Sequence, residues 1–158
     1  MKTKRTVALL VALIANFIPL QAHAVEDETI KIVYQCDFSD EERFNRMLNT
    51  LNNLVGQYQQ SLTDYKIDVV ALGSCLPYFM KDFTGTSLVK TPNLEETQKR
   101  LHSLMVSSGN VKLFACQNTM KKKNVKPEQI LENIELTPSG ISKIINDQRT
   151  GHAYINVN

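Results

Sequence analysis

The chain has 158 residues, 42% of them hydrophobic and 22% charged, with three cysteines and no tryptophan. Its formal net charge of +2 rests on the first few residues: without Lys2, Lys4 and Arg5, 15 basic residues face 16 acidic ones. So balanced a body lacks the surplus positive charge by which proteins hold nucleic acid or anionic membranes, and its length suits one domain with a proper core.

Met1 to Ala24 has the form of a signal peptide. Lys2, Lys4 and Arg5 make a positive n-region, Val7 to Leu20 is an apolar core, and Ala22-His23-Ala24 is an A-x-A cleavage site. The apolar run is short for a membrane span and is interrupted by Asn16 and Pro19. Cleavage after Ala24 and a periplasmic location are expected, with no membrane contact afterwards; an uncleaved signal anchor is the alternative. Residues 25–158 then form one domain.

Ile30 to Asp37, IKIVYQCD, suits a strand buried on both faces. Ser39 follows as a helix cap with Glu42 three residues on, and Phe44, Met47, Leu48, Leu51, Leu54, Val55 and Tyr58 recur at helical spacing over residues 40–60. Asp40, Glu41 and Glu42 fit the first turn of that helix better than a catalytic role. Lys66 to Gly73 reads as a second strand, and Ser74 to Pro77 turns the chain into a short apolar helix around residues 78–83. After a looser stretch over 84–91, a helix starts at Pro92 or Asn93, carries Leu94, Leu101, Leu104 and Met105 inward, and stops near Gly109.

Val111 to Cys116 is a third strand running straight into a lysine-rich helix, with Asn118 and Thr119 as possible caps. Lys126-Pro127-Glu128 makes a brief turn and Ile134 to Leu136 a short strand. Thr137-Pro138 opens a helix with Ile141, Ile144 and Ile145 inward, and His152 to Val157 is a last strand. Alternating strands and helices imply a parallel sheet of about five strands covered on both faces, a three-layer α/β/α sandwich.

Cys116 stands out chemically. At the carboxyl end of a parallel strand it faces the edge where such sheets bind ligands, and a helix start beside it favours the thiolate. Lys121, Lys122 and Lys123 would add to that field. The plainer reading is a small buried hydrophobe ahead of a solvated helix face. Cys36, Cys75 and Cys116 would all lie at the same sheet edge. In an oxidising compartment an odd number leaves one thiol free: Cys36 with Cys75 is one pairing, and a resolving thiol for Cys116 is another. His102 and His152 have no partners at metal-ligand spacing, so no metal is expected. There is no Gly-rich phosphate loop, G-x-S-x-G or C-x-x-C, so no cofactor is expected.

The segments FACQNTM, KKKNVKPEQIL and IELTPSGISKIINDQRTGHAYI resemble the DsrE/DsrF-like family, which includes the DsrE and TusD sulfur-relay subunits, and the similarity runs from about Ile30 to Val157. The resemblance implies a flavodoxin-like α/β/α sandwich and a homotrimer or hexamer. It implies also that Cys116 carries sulfur as a persulfide between donor and acceptor proteins or small thiols, with Asn118 and Thr119 donating hydrogen bonds to it. Cys36 and Cys75 fall outside the family motif. Three functions are therefore expected to compete: a periplasmic sulfur carrier or sulfurtransferase-like protein acting through Cys116, a thiol-disulfide protein using two of the three cysteines, and a noncatalytic oligomeric binding module.

Overall fold

Five strands and four helices alternate along the chain: β1 (Ile30–Cys36), α1 (Glu41–Gln60), β2 (Tyr65–Ala71), α2 (Leu94–Ser108), β3 (Val111–Cys116), α3 (Gln117–Lys123), β4 (Ile134–Thr137), α4 (Gly140–Arg149) and β5 (Ala153–Asn156), with short 3-10 turns at Gly73–Phe79 and Pro127–Gln129. These come from a computed structural model that describes residues 29–157. The signal-peptide reading of residues 1–24 lies outside them. Among the described residues no helix is long and apolar enough to cross a membrane.

The strands form one sheet in the order β4-β3-β2-β1-β5, every neighbouring pair parallel. From β1 through β4 each step moves the same way across the sheet, so right-handed crossovers put α1, α2 and α3 on one face. The step from β4 to β5 goes back over the whole sheet and puts α4 on the other. Strand alternation matches this division. Ile32, Tyr34, Ile67, Val69, Leu113 and Ala115 belong to the larger core with α1 and α2, whereas Val33, Val70 and Phe114 meet Ile144 of α4. The expected three-layer sandwich is present, but one helix alone makes the third layer.

Local chemistry explains the elements with some adjustments: the short helix expected around residues 78–83 is the 3-10 turn at Gly73–Phe79, and α4 is capped by Ser139, whose side chain accepts from the Ser142 N–H, and not by Thr137-Pro138. In α1 the inward residues are Phe44, Met47, Leu48, Leu51 and Val55, the spacing of one helical face, and Phe44 stacks on Tyr78 with ring centroids 3.9 Å apart. Its cap is Asp40, whose side chain accepts from the Arg43 N–H at 2.7 Å, and not Ser39, whose carbonyl instead accepts from the Tyr78 hydroxyl. In α4 only Ile144 of the three isoleucines is buried; Ile141 and Ile145 are about half exposed. The inward stripe is Gly140, Ile144 and Asp147, because this helix must bring a glycine and a charge onto the sheet.

Cys36 and Cys75 are joined by a disulfide, their Cα atoms 5.6 Å apart and both side chains fully buried. The bridge ties the end of β1 to the turn after β2 across a sequence separation of 39 residues. Closing a loop of that length in the unfolded chain is worth about 4 kcal/mol in the chain-entropy account. A Cys36→Ala, Cys75→Ala double variant should lose about that much stability in urea denaturation. Thiol titration of the unfolded, unreduced wild type should count one free cysteine.

Candidate functional site

In an open parallel sheet the crevice lies where the connections of two adjacent strands leave toward opposite faces. Here those strands are β3, followed by α3, and β4, followed by α4 on the other face. Cys116 ends β3 at this point, paired in register with Thr137 at the end of β4.

Cys116 is at once the last residue of β3 and the N-cap of α3. Its side chain points toward α4. The N–H of Gly140, the first residue of α4, donates to Cys116 Sγ at 3.2 Å. One sulfur thus sits at the amino ends of two helices, whose unpaired N–H groups and dipoles favour negative charge. The Thr119 hydroxyl accepts from the Gly73 N–H at 3.0 Å, which leaves its own proton for the sulfur. Burial pushes the thiol up. The Gly140 N–H, then the backbone and hydroxyl of Thr119 and the N–H of Asn118, outweigh that and hold Cys116 below the ordinary thiol value. The Gly140 contact meets ordinary hydrogen-bond geometry and is the main one, whereas the Cys116 side chain makes no cap bond to α3.

Gly140 is there for space. A Cβ at this position would lie 3.2 Å from Val70 Cγ1, 3.3 Å from Cys116 Cβ and 3.4 Å from Leu72 Cβ. Cys116 itself is 5% exposed. An open, accessible sulfur was expected; the structure has one activated by the groups that enclose it.

Three other expectations are corrected. Lys121, Lys122 and Lys123 fall in the last turn of α3, where they complement the carboxyl end of the helix and not the thiol at its start. Asn118 and Thr119 do not cap α3, since Cys116 holds that position, but both point N–H groups at the sulfur. The three cysteines reach one edge without forming a cluster. Cys36 faces the core beneath α1, Cys116 faces α4, and β2 stands between their strands. The disulfide leaves Cys116 as the free cysteine.

Two functional features escaped the sequence reading. One is the second helix start, signalled only by the glycine of Thr137-Pro138-Ser139-Gly140. The other is a buried charge network beneath α4. Asp68, fully buried in the middle of β2, is met by Lys143 Nζ at 2.5 Å, and Lys143 also binds Asp147 at 2.6 Å. Lys66 lies 3.6 Å and His152 4.0 Å from the same Asp68 oxygen, and Lys143 stands over the Phe114 ring at 4.1 Å. Asp68, Asp147 and His152 bring ligand atoms within 4.8 Å of one another, as a metal site would. The Lys143 ammonium already bridges the two carboxylates of that set, so the cluster is an ion-pair network that fixes α4 one turn below Gly140. The signal for it was an aspartate set between the apolar residues Ile67 and Val69 of β2.

A doubly wound parallel sheet with one activated thiol at its switch point defines a thiol-bearing α/β sandwich. The chain belongs to the DsrE/DsrF-like family, whose sequence pattern matches residues 29–157. Membership suggests a sulfur-relay-like role. Among solved structures it is similar to the protein of unknown function MTH1491 from Methanobacterium thermoautotrophicum, with 23% identity and a TM-score of 0.64 over 80% of this chain and 98% of that one. It is similar also to the ychN protein from E. coli, with 12% identity and a TM-score of 0.50 over 81% and 99%. No curated protein matches the chain. At these identities the two structures speak for the fold alone.

Two outcomes follow. Alkylation of Cys116 should fall off with decreasing pH at a midpoint below that of a free cysteine, because the lowered pKa keeps the thiolate populated to lower pH. Gly140→Ala, by displacing the N–H, should move that midpoint up by about 1 pH unit. Lys143→Met leaves Asp68 and Asp147 without their shared cation and should destabilise the protein by about 3–5 kcal/mol in urea denaturation.

Proposed function

We propose that this protein is a periplasmic sulfur carrier or sulfurtransferase-like protein that takes up sulfane sulfur on Cys116 and passes it on. The observation that carries this reading is the sulfur placed between the starts of α3 and α4, with the Gly140 N–H 3.2 Å away. In uptake the Cys116 thiolate attacks the outer sulfur of a donor persulfide R–S–SH. The new Cys116–S bond forms as the donor S–S bond breaks, the electron pair leaves on the donor thiolate, and the proton stays on the transferred sulfur. Delivery is the same exchange with an acceptor thiolate. Both sulfur species are anionic when reactive, and backbone donors stabilise either without needing a lysine.

The partners in this reading are donor and acceptor proteins or small thiols, and the assembly is a homotrimer or hexamer. Location and cleavage rest on the n-region, apolar core and A-x-A site of residues 1–24. The fully buried Cys36–Cys75 bond supports a staple and not an exchanging pair, since an incoming thiolate has no line of attack on either sulfur. The 5% exposure of Cys116 favours one second reading, a noncatalytic module in which the thiol is structural.

Intact-mass analysis after incubation with a persulfide donor separates the two. The wild type should gain one sulfur atom that a reductant removes, and Cys116→Ser should gain none. An unmodified wild type, or a gain that survives in Cys116→Ser, would overturn the carrier reading.

A further inference from the structure

On the face that carries α1, α2 and α3, the helices do not reach the β4 edge. α3, which follows β3 on the way to β4, has seven residues, about 10 Å of helix, against 20 in α1 and 15 in α2. The uncovered strip is a cleft of about 440 Å³. Leu113 of β3 and Ile134 of β4 contribute its floor, Leu101 and Met105 of α2 one wall. Its end is closed near Leu131, where Leu131 N–H donates to the Phe79 carbonyl at 2.9 Å and Met80 pairs with Ile130. A mainly apolar cleft of this volume lies within the range of small-molecule sites.

The rim is charged, and its charges are unequally satisfied. Glu132 is paired with Lys81 at 3.5 Å and Glu95 with Lys90 at 2.9 Å. Lys99 and His102 also line the cleft, spaced i and i+3 on α2, and neither takes part in an ion pair among the described residues. Lys99 adds only a field that helps to hold Glu95 below its ordinary value. The rim carboxylates Glu132 and Glu95 are thus each paired with a lysine other than Lys99, and Lys99 and His102 stand beside the apolar wall.

The geometry points to a binding site for an amphipathic carboxylate of about ten carbons, its chain along Leu101, Met105, Leu113 and Ile134 and its head group at Lys99 and His102. At roughly 30 Å³ per methylene, close to water's share, a ten-carbon chain takes about 300 Å³ and leaves the rest of the 440 Å³ for the head group and its water. The inference does not rest on the sulfur-carrier reading: Cys116 faces α4 on the opposite side of the sheet, and failure of one leaves the other standing.

Calorimetric titration of the wild-type protein with octanoate, decanoate and dodecanoate tests it, with decanol as the neutral analogue. Decanoate should bind one per chain, and each added methylene should tighten binding about fourfold. Lys99→Glu, an exposed substitution, should weaken decanoate about tenfold and leave decanol unchanged. Met105→Trp should fill the cleft and abolish both, and as the only tryptophan of the chain it reports by fluorescence that the variant is folded. Absence of decanoate binding at millimolar concentration, equal response of decanoate and decanol to Lys99→Glu, or undiminished binding in folded Met105→Trp would each overturn the proposal.

Discussion

Parallel strands joined by right-handed crossovers must send their helices to opposite faces wherever the direction of travel across the sheet reverses. In this chain travel reverses at β4, so the connections leaving the adjacent strands β3 and β4 part to opposite faces, and that is the constraint on which the site depends. Two helices begin side by side there and diverge, so both amino ends are open at one place. The residue at the end of β3 therefore receives N–H groups from its own helix and from the next one. Glycine at position 140 lets the second helix come near enough for a direct bond to sulfur. No charged side chain is needed for this, and the lysines of α3 stand at its far end.

That arrangement holds only if α4 keeps its rotation and height on the sheet, and among the described residues α4 is the sole helix on its face. An apolar stripe would fix it loosely, because just four buried residues make up that minor core. Lys143, shared between Asp68 and Asp147, supplies a directional contact instead. The pairing also accounts for the exposure of Ile141 and Ile145: turning the charge and the glycine inward turns these two outward. A buried ion pair is weak evidence of net stability, but it strongly specifies one geometry over its neighbours.

The fold was largely legible in the sequence. Period-two and period-3.6 patterns located the strands and α1, α2 and α4, while α3, too short to declare a period, was read from the polar residues and lysines that follow β3. The thiol at the strand-to-helix junction was legible for the same reason, as the junction is local. What could not be read was anything requiring a rotation angle or a partner distant in sequence. Gly140 and Cys116 are 24 residues apart, and Asp68 and Lys143 are 75 apart. The cluster of three cysteines failed on the finest of these details, the pleat: strands that end at one edge still place their last side chains on opposite faces.

The pleat has a further bearing on Cys116. The other two sulfurs are locked together beneath α1, and the chain has only three. A sulfur atom or an oxidant adduct loaded on Cys116 finds no neighbouring thiol in its own chain to discharge it. Its lifetime is then set from outside, by how often a suitable acceptor arrives. The sheet stands as a wall between the buried disulfide on one face and the free thiol on the other.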